Sequence, residues 1–192
     1  MARPREFDRQ TALDRAMRAF WERGYESTSL STLVDRMQIG RASFYDTFGS
    51  KHGLFDEALD LYVERMGLED LAPLRSPGTA KDVLEAFFAA FVERACGPGF
   101  SGCLVVKSAV LTGQQDESVR KRLEKADQMI EEVFFDVLDR AKQSGELKDG
   151  LDPRAVSQFL TNALHGLFVT ASMRPEREKL QNIVDSCLSV LA

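Results

Sequence analysis

Apolar residues recur at three- and four-residue intervals along nearly the whole chain, and no stretch alternates apolar and polar positions long enough to predict a sheet. Within residues 7–23, Leu13, Met17, Phe20 and Trp21 form one stripe, and Gly24 stands where a helix C-cap belongs. A short helix is expected at 30–37, with Leu30, Leu33, Val34 and Met37 inward and Ser29 as its N-cap. Gln38-Ile39-Gly40 breaks it, and a second short helix runs from Arg41 to about Phe48. After the break at Gly49-Ser50, Ser50 can cap a helix bearing Leu54, Phe55, Ala58, Leu59 and Tyr62.

Ala72-Pro73-Leu74-Arg75-Ser76-Pro77-Gly78 reads as a linker. Thr79 then caps a helix carrying Val83, Leu84, Phe87, Phe88 and Phe91, which ends near Cys96-Gly97-Pro98-Gly99. A short apolar segment from Cys103 to Leu111 is followed by Gly113. The clearest long helix is 117–144, where Val119, Leu123, Ala126, Ile130, Val133, Val137 and Ala141 keep the period. Asp152-Pro153 is a helix-start signal, and the helix it opens, to about Met173, is apolar on more than one side. Such a helix needs cover on several faces. Either it is central to the monomer core, or it and the last helix, about 176–191, pair with a second copy. The pattern predicts an all-α fold of about nine helices.

Composition fits a globular chain with a core, at 44% hydrophobic and 29% charged residues. No apolar run reaches the roughly 18 residues a membrane span needs. The charged start lacks the apolar stretch of a secretory signal, and three cysteines without CxxC spacing point to a reducing compartment, the cytoplasm. The net charge of −5 speaks against nucleic acid only until it is divided along the chain. Residues 1–52 carry nine Lys or Arg against seven Asp or Glu, while the remaining 140 carry 16 against 23. Charge near phosphates is what matters for DNA, so a mildly basic head on an acidic body is compatible with it.

Two short helices joined at Gln38-Ile39-Gly40 make a helix-turn-helix, whose second helix can enter a major groove. Thr28 and Ser29 precede the first helix, where hydroxyls and backbone N–H groups suit a phosphate. Arg41, Ala42 and Ser43 open the second. Arginine can pair with guanine, and a small alanine permits close approach or contact with a thymine methyl. Tyr45, Thr47 and Lys51 carry donors suited to phosphates. Phe44 and Phe48 face inward with Met37 and Ile39. Two short helices and a turn also occur in all-α domains that never touch DNA.

The residues narrow that choice. Arg23-Gly24-Tyr25, Thr28-Ser29-Leu30, Ile39-Gly40-Arg41-Ala42-Ser43-Phe44-Tyr45 and Phe48-Gly49-Ser50-Lys51-His52-Gly53-Leu54-Phe55 together resemble the N-terminal domain of TetR/AcrR-family regulators, without a gap over residues 7–62. Asp46 departs from that pattern and is left out of the contact set, because an acid beside phosphates is unfavourable. The resemblance implies a helix-turn-helix domain at 1–50 and a larger C-terminal helical domain at 51–192 for ligand binding and dimerisation, linked by the helix at about 50–66. It implies a homodimer, paired through the last two helices (about 152–191), on a palindromic double-stranded operator. It further implies release by a small-molecule or thiol-reactive effector. Arg3 and Arg5 resemble a basic arm for a minor groove, or are a solvated terminus.

The C-terminal half has its own candidates. Phe87, Phe91, Phe134 and Phe159, with His165, either line an effector pocket or are core. Gly102-Cys103-Leu104 resembles the opening of helix 6 in a TetR subgroup, some members of which sense electrophiles or oxidants through this cysteine. A helix N-terminus favours a thiolate, Lys107 one turn on adds positive charge, and Cys96 lies close in sequence as a partner thiol. The alternative is a small buried Cys103; Cys187 reads as packing. An enzyme finds no support in HExxH, GxSxG, GxGxxG or P-loop motifs, and Glu131-Glu132 read as a solvated surface. No cofactor and no metal site is expected. The rival function is a dimeric small-molecule-binding protein without operator-specific regulation.

Overall fold

A computed structural model describes residues 7–111 and 116–191. Arg3, Arg5 and Gly113 lie outside the described residues. Nine α-helices are present among them: α1 (Arg9–Arg23), α2 (Leu30–Met37), α3 (Arg41–Phe48), α4 (Lys51–Arg65), α5 (Ala80–Ala95), α6 (Leu104–Leu111), α7 (Glu117–Ser144), α8 (Pro153–Met173) and α9 (Arg177–Leu188). The fold is all-α, with the helix-turn-helix at α2–α3.

The helix starts follow the polar residues that can hold orphan N–H groups. Asp8 accepts from the Gln10 and Thr11 amides, Ser29 from Thr32, Thr79 from Asp82, and Asp152 from Arg154. Ser50 Oγ accepts from the Gly53 amide at 2.9 Å. Gly53 has a steric reason as well, since a Cβ there would stand 2.8 Å from the Phe48 carbonyl oxygen.

The contacts close into two compact units. One joins Met1–Glu64 with Cys103–Leu123; the other joins Arg65–Gly102 with Glu124–Ala192. In the first, Phe20, Leu33, Phe44, Leu54 and Phe55 are fully buried, and Phe20 meets Phe55 edge-on at 5.0 Å. In the second, α5 and α8 both pack on α9. Its core includes Phe88 stacked 6.0 Å from Phe134, and Phe91 edge-on to Phe168 at 4.9 Å.

The first half of the stretch expected as a linker, and the segment before it, are helical turns. Met66–Asp70 forms a π-turn and Ala72–Arg75 a 3-10 turn. Leu74 is buried and the Arg75 guanidinium donates to the Gly67 carbonyl at 2.7 Å, so one apolar anchor and one long-armed donor outweigh the flanking prolines. Glu131 and Glu132, read as a solvated surface, both pair with Arg154, at 3.1 and 2.8 Å, and Glu132 stays exposed.

Candidate nucleic-acid interface

The course of α3 is set by the turn before it. Gln38 adopts a left-handed conformation (φ 58°), and among the described residues it is the only non-glycine with positive φ. Its N–H donates to Asp35 O and Ile39 N–H to Val34 O, which closes the carbonyl end of α2. Arg15 of α1 holds the Gln38 side-chain oxygen at 2.6 Å, so the strained residue is clamped from the neighbouring helix. Arg36 of α2 meets Glu22 of α1 at 3.0 Å. Phe44 and Phe48 are buried, and the Arg9 guanidinium lies 5.1 Å from the Phe48 ring centroid.

With its apolar side inward, α3 turns the other side out. Arg41, Ala42, Tyr45 and Asp46 are exposed, and Ser43 and Thr47 half-buried between them. Gly40 supplies no side-chain cap, so none of the first amides of α3 is taken by a capping side chain. Ser29 is exposed but commits its oxygen to the α2 cap. Lys51 opens α4 with its Nζ 4.2 Å from the Tyr25 ring centroid. That contact orders the ammonium while leaving it half-exposed.

Thr28 differs from expectation. It is wholly buried, and its hydroxyl donates to the Gly24 carbonyl at 2.6 Å. The chain bends sharply between α1 and α2, and an otherwise open carbonyl there takes the hydroxyl that was expected to face a phosphate.

The second unit separates the effector candidates. Phe87, Phe91 and Phe134 are buried, with Phe87 edge-on to Phe134 at 5.6 Å. Phe159 is 45% exposed, so it does not line an interior pocket of the chain as expected. Its helix has an outer apolar side, and Phe159 falls on it. His165 lies 3.6 Å from Asp127, and burial pushes its imidazole pKa down against that carboxylate's opposing pull. Among the described residues, neither His165 Nε2 nor Thr161 Oγ1 has a hydrogen-bond partner. A cavity of about 280 Å³, lined by Thr79, Lys81, Ala141, Leu147, Leu188 and Leu191 among others, involves none of the expected residues.

Cys103 is buried just before α6, in the same unit as α1–α4. Cys96, in the second unit, is half-buried, with its thiol 3.7 Å from the Pro175 carbonyl of that same unit. Burial raises the Cys187 thiol pKa, as suits a packed side chain. No helix is long and apolar enough to cross a membrane, and no group of three metal-ligating residues is placed to hold an ion, among the described residues.

Two contacts escaped sequence reasoning. His52 of α4 sits 3.3 Å from Asp116, which caps α7 through the Ser118 and Val119 amides. Lys107 of α6 donates to the Trp21 carbonyl at 2.9 Å. Partners so far apart in sequence, 86 positions for Lys107 and Trp21, leave no periodic signal.

Comparison with known proteins agrees with this geometry. Residues 12–58 match the model for bacterial regulatory proteins of the tetR family, and residues 80–187 that for a tetracyclin repressor-like C-terminal domain. The uncharacterized HTH-type transcriptional regulator YezE of Bacillus subtilis is 33% identical, with both chains covered in full. The HTH-type transcriptional repressor ComR of Escherichia coli is 29% identical over 97% of this chain and 90% of its own. Among solved structures, a cysteine variant of the regulator CifR, complexed with 26-bp double-strand operator DNA, superposes with a TM-score of 0.88 at 35% identity, covering 100% of both chains. Reduced Escherichia coli NemR shares the fold at 22% identity (TM-score 0.87, 96% of each chain).

Proposed function

The chain belongs to the TetR family of bacterial regulatory proteins and is a DNA-binding transcriptional regulator; from that premise we propose that it is a cytoplasmic, homodimeric repressor reading a palindromic operator with one α3 per half-site. The observation that carries this reading is the exposed edge of α3. Arg41 and Ala42 stand at its start without a side-chain cap, and Tyr45 is exposed one turn on. In this reading Arg41, Ala42 and Ser43 meet bases, and Ser29, Tyr45, Thr47 and Lys51 meet phosphates. For Thr28, only the backbone remains available.

The dimer would form through α8 and α9. Ala155, Phe159, Asn162, Gly166, Val169 and Met173 are exposed at alternating four- and three-residue steps on one side of α8, the spacing of a helix-pairing seam. Residues 51–192 would then hold both this interface and the effector site, with release through a small molecule or a thiol-reactive compound at Cys103. Lys107 one turn on supports the latter, because charge on the two groups is linked: a Cys103 thiolate raises the Lys107 pKa, opposing the larger lowering by burial.

Selection of bound DNA from a random pool tests the reading. An inverted repeat with half-sites about one helical turn apart, some 10 bp centre to centre, is the expected product. Enrichment of no sequence would overturn it in favour of a dimeric small-molecule-binding protein.

A further inference from the structure

Gln38 holds a backbone conformation that glycine would adopt freely. Its φ of 58° and ψ of 44° lie in the left-handed region, where the Cβ of an L-residue crowds the carbonyl that follows. Every other positive φ among the described residues belongs to a glycine. The conformation is needed all the same, because Gln38 ends α2 and turns the chain toward Ile39 and Gly40, from which α3 starts. A side chain kept at such a step, at a cost in backbone strain, points to a use for that side chain.

The use lies on the neighbouring helix. Arg15 of α1 donates from Nη1 to Gln38 Oε1 at 2.6 Å, and the same nitrogen lies 3.5 Å from the Met37 carbonyl oxygen. The carbonyl end of α2 carries partial negative charge, which suits a guanidinium. A second tie, between Arg36 and Glu22 at 3.0 Å, holds the same end of α2 to α1. The backbone bonds of the turn are longer than the Arg15 contact, at 3.3 Å from Gln38 N–H to Asp35 O and 3.1 Å from Ile39 N–H to Val34 O. Phe44 and Phe48 decide which side of α3 is buried, whereas the turn decides where its first residues stand.

We propose that Arg15 is a positioning residue for operator reading: it holds Gln38 left-handed, and with it the first turn of α3, while making no contact with DNA itself. The inference rests on the reading of α3 as the helix that meets bases. Only molecules with the turn in this form offer Arg41, Ala42 and Ser43 in register, so apparent affinity follows the fraction that hold it. Phosphate contacts carried by other elements, Lys51 on α4 among them, do not depend on the turn, and non-specific binding should not either.

The test uses the full-length protein as wild type, Arg15→Met, Gln38→Gly and the double variant. The probes are the inverted repeat recovered by selection and a scrambled duplex of equal length. Arg15→Met should bind the repeat about fivefold more weakly, the worth of one solvent-facing hydrogen bond, and the scrambled duplex as wild type does. The salt slope should stay, because no phosphate contact is lost. Glycine adopts the turn without strain, so in the Gln38→Gly background Arg15→Met should add no further loss. Amide hydrogen exchange reads the clamp without DNA: the Gln38 and Ile39 amides should quicken in Arg15→Met, with α9 unchanged.

Unchanged binding of the repeat by Arg15→Met would overturn the proposal. A loss of equal size on the scrambled duplex, or a salt slope lowered by about one, would overturn it by placing Arg15 on a phosphate. The same loss in the glycine background would do so too, since Arg15 would then act without Gln38. A wild-type protein that enriches no DNA marks failure of the operator reading instead, and exchange at Gln38 and Ile39 then decides the clamp alone.

Discussion

The ammonium of Lys51 lies 4.2 Å from the centroid of the Tyr25 ring, at the first residue of α4. A cation held on an aromatic face is pre-positioned for a phosphate, whereas Arg41 extends from α3 with no comparable contact among the described residues. The two should therefore fail differently. Lys51→Ala is expected to weaken binding to all sequences alike and reduce the salt slope by about one. Arg41→Ala should cost about 1–3 kcal/mol, concentrated at one operator position. Titrations at several salt concentrations against a panel of operator variants separate the two, and a sequence-independent loss for Arg41→Ala would move that residue to the backbone class.

Thr28 tests the inward-facing hydroxyl. Thr28→Val keeps the shape and removes the donor to Gly24 O, which should destabilise the protein by about 1–3 kcal/mol through a carbonyl left unpaired. Thermal melting reads this, and the salt slope of DNA binding should not change. A lowered slope with an unaltered melt would place the hydroxyl on a phosphate after all.

Phe159 offers a test of the pairing face. Placing a carboxylate there, as Phe159→Glu, sets two like charges into an apolar seam, and sedimentation should show a monomer with lost operator binding. A dimer that survives the change would move the interface off α8.

Cys103→Ser should leave operator binding intact and abolish release by quinones, aldehydes or peroxide. Competition on a labelled operator with and without reagent measures it. Release that persists in the serine variant would assign sensing elsewhere.

The imidazole of His165 titrates below its ordinary range because burial opposes its charge. A histidine base with a folded pKa under its unfolded value takes up protons more readily when unfolded, so its contribution to stability is complete above the unfolded value near 6.5 and is lost as pH falls below it. The melting temperature should accordingly drop between neutral pH and pH 5, less steeply in His165→Gln. Equal slopes in both proteins would show that other groups govern the acid limb.

Helices with strong periods were readable from their residues, and so were their capped ends: Ser29, Ser50, Thr79 and Asp152 each hold an amide where the pattern placed them. The outward side of α3 was readable for the same reason, since Phe44 and Phe48 fix which face is buried. Local signals gave no warning of long-range polar contacts. Thr28 has the composition of a phosphate ligand, and only the fold brings Gly24 O to it. Leu74 and Arg75 sit among prolines that suggest a linker, yet their partners lie outside that window. Phe159 is as apolar as Phe87, and hydrophobicity alone does not say whether a ring is covered by its own chain.

The unit that joins Met1–Glu64 with Cys103–Leu123 bears on how such proteins diversify. A reading head encoded by one continuous stretch could be exchanged between regulators by a single recombination. Here an exchange ending at Glu64 would leave behind Lys107, which donates to the Trp21 carbonyl, and Asp116, which faces His52. The unit that carries the helix-turn-helix is therefore encoded by two separated stretches of the gene, and a head grafted as residues 1–64 alone should melt at a lower temperature than one grafted with residues 103–123.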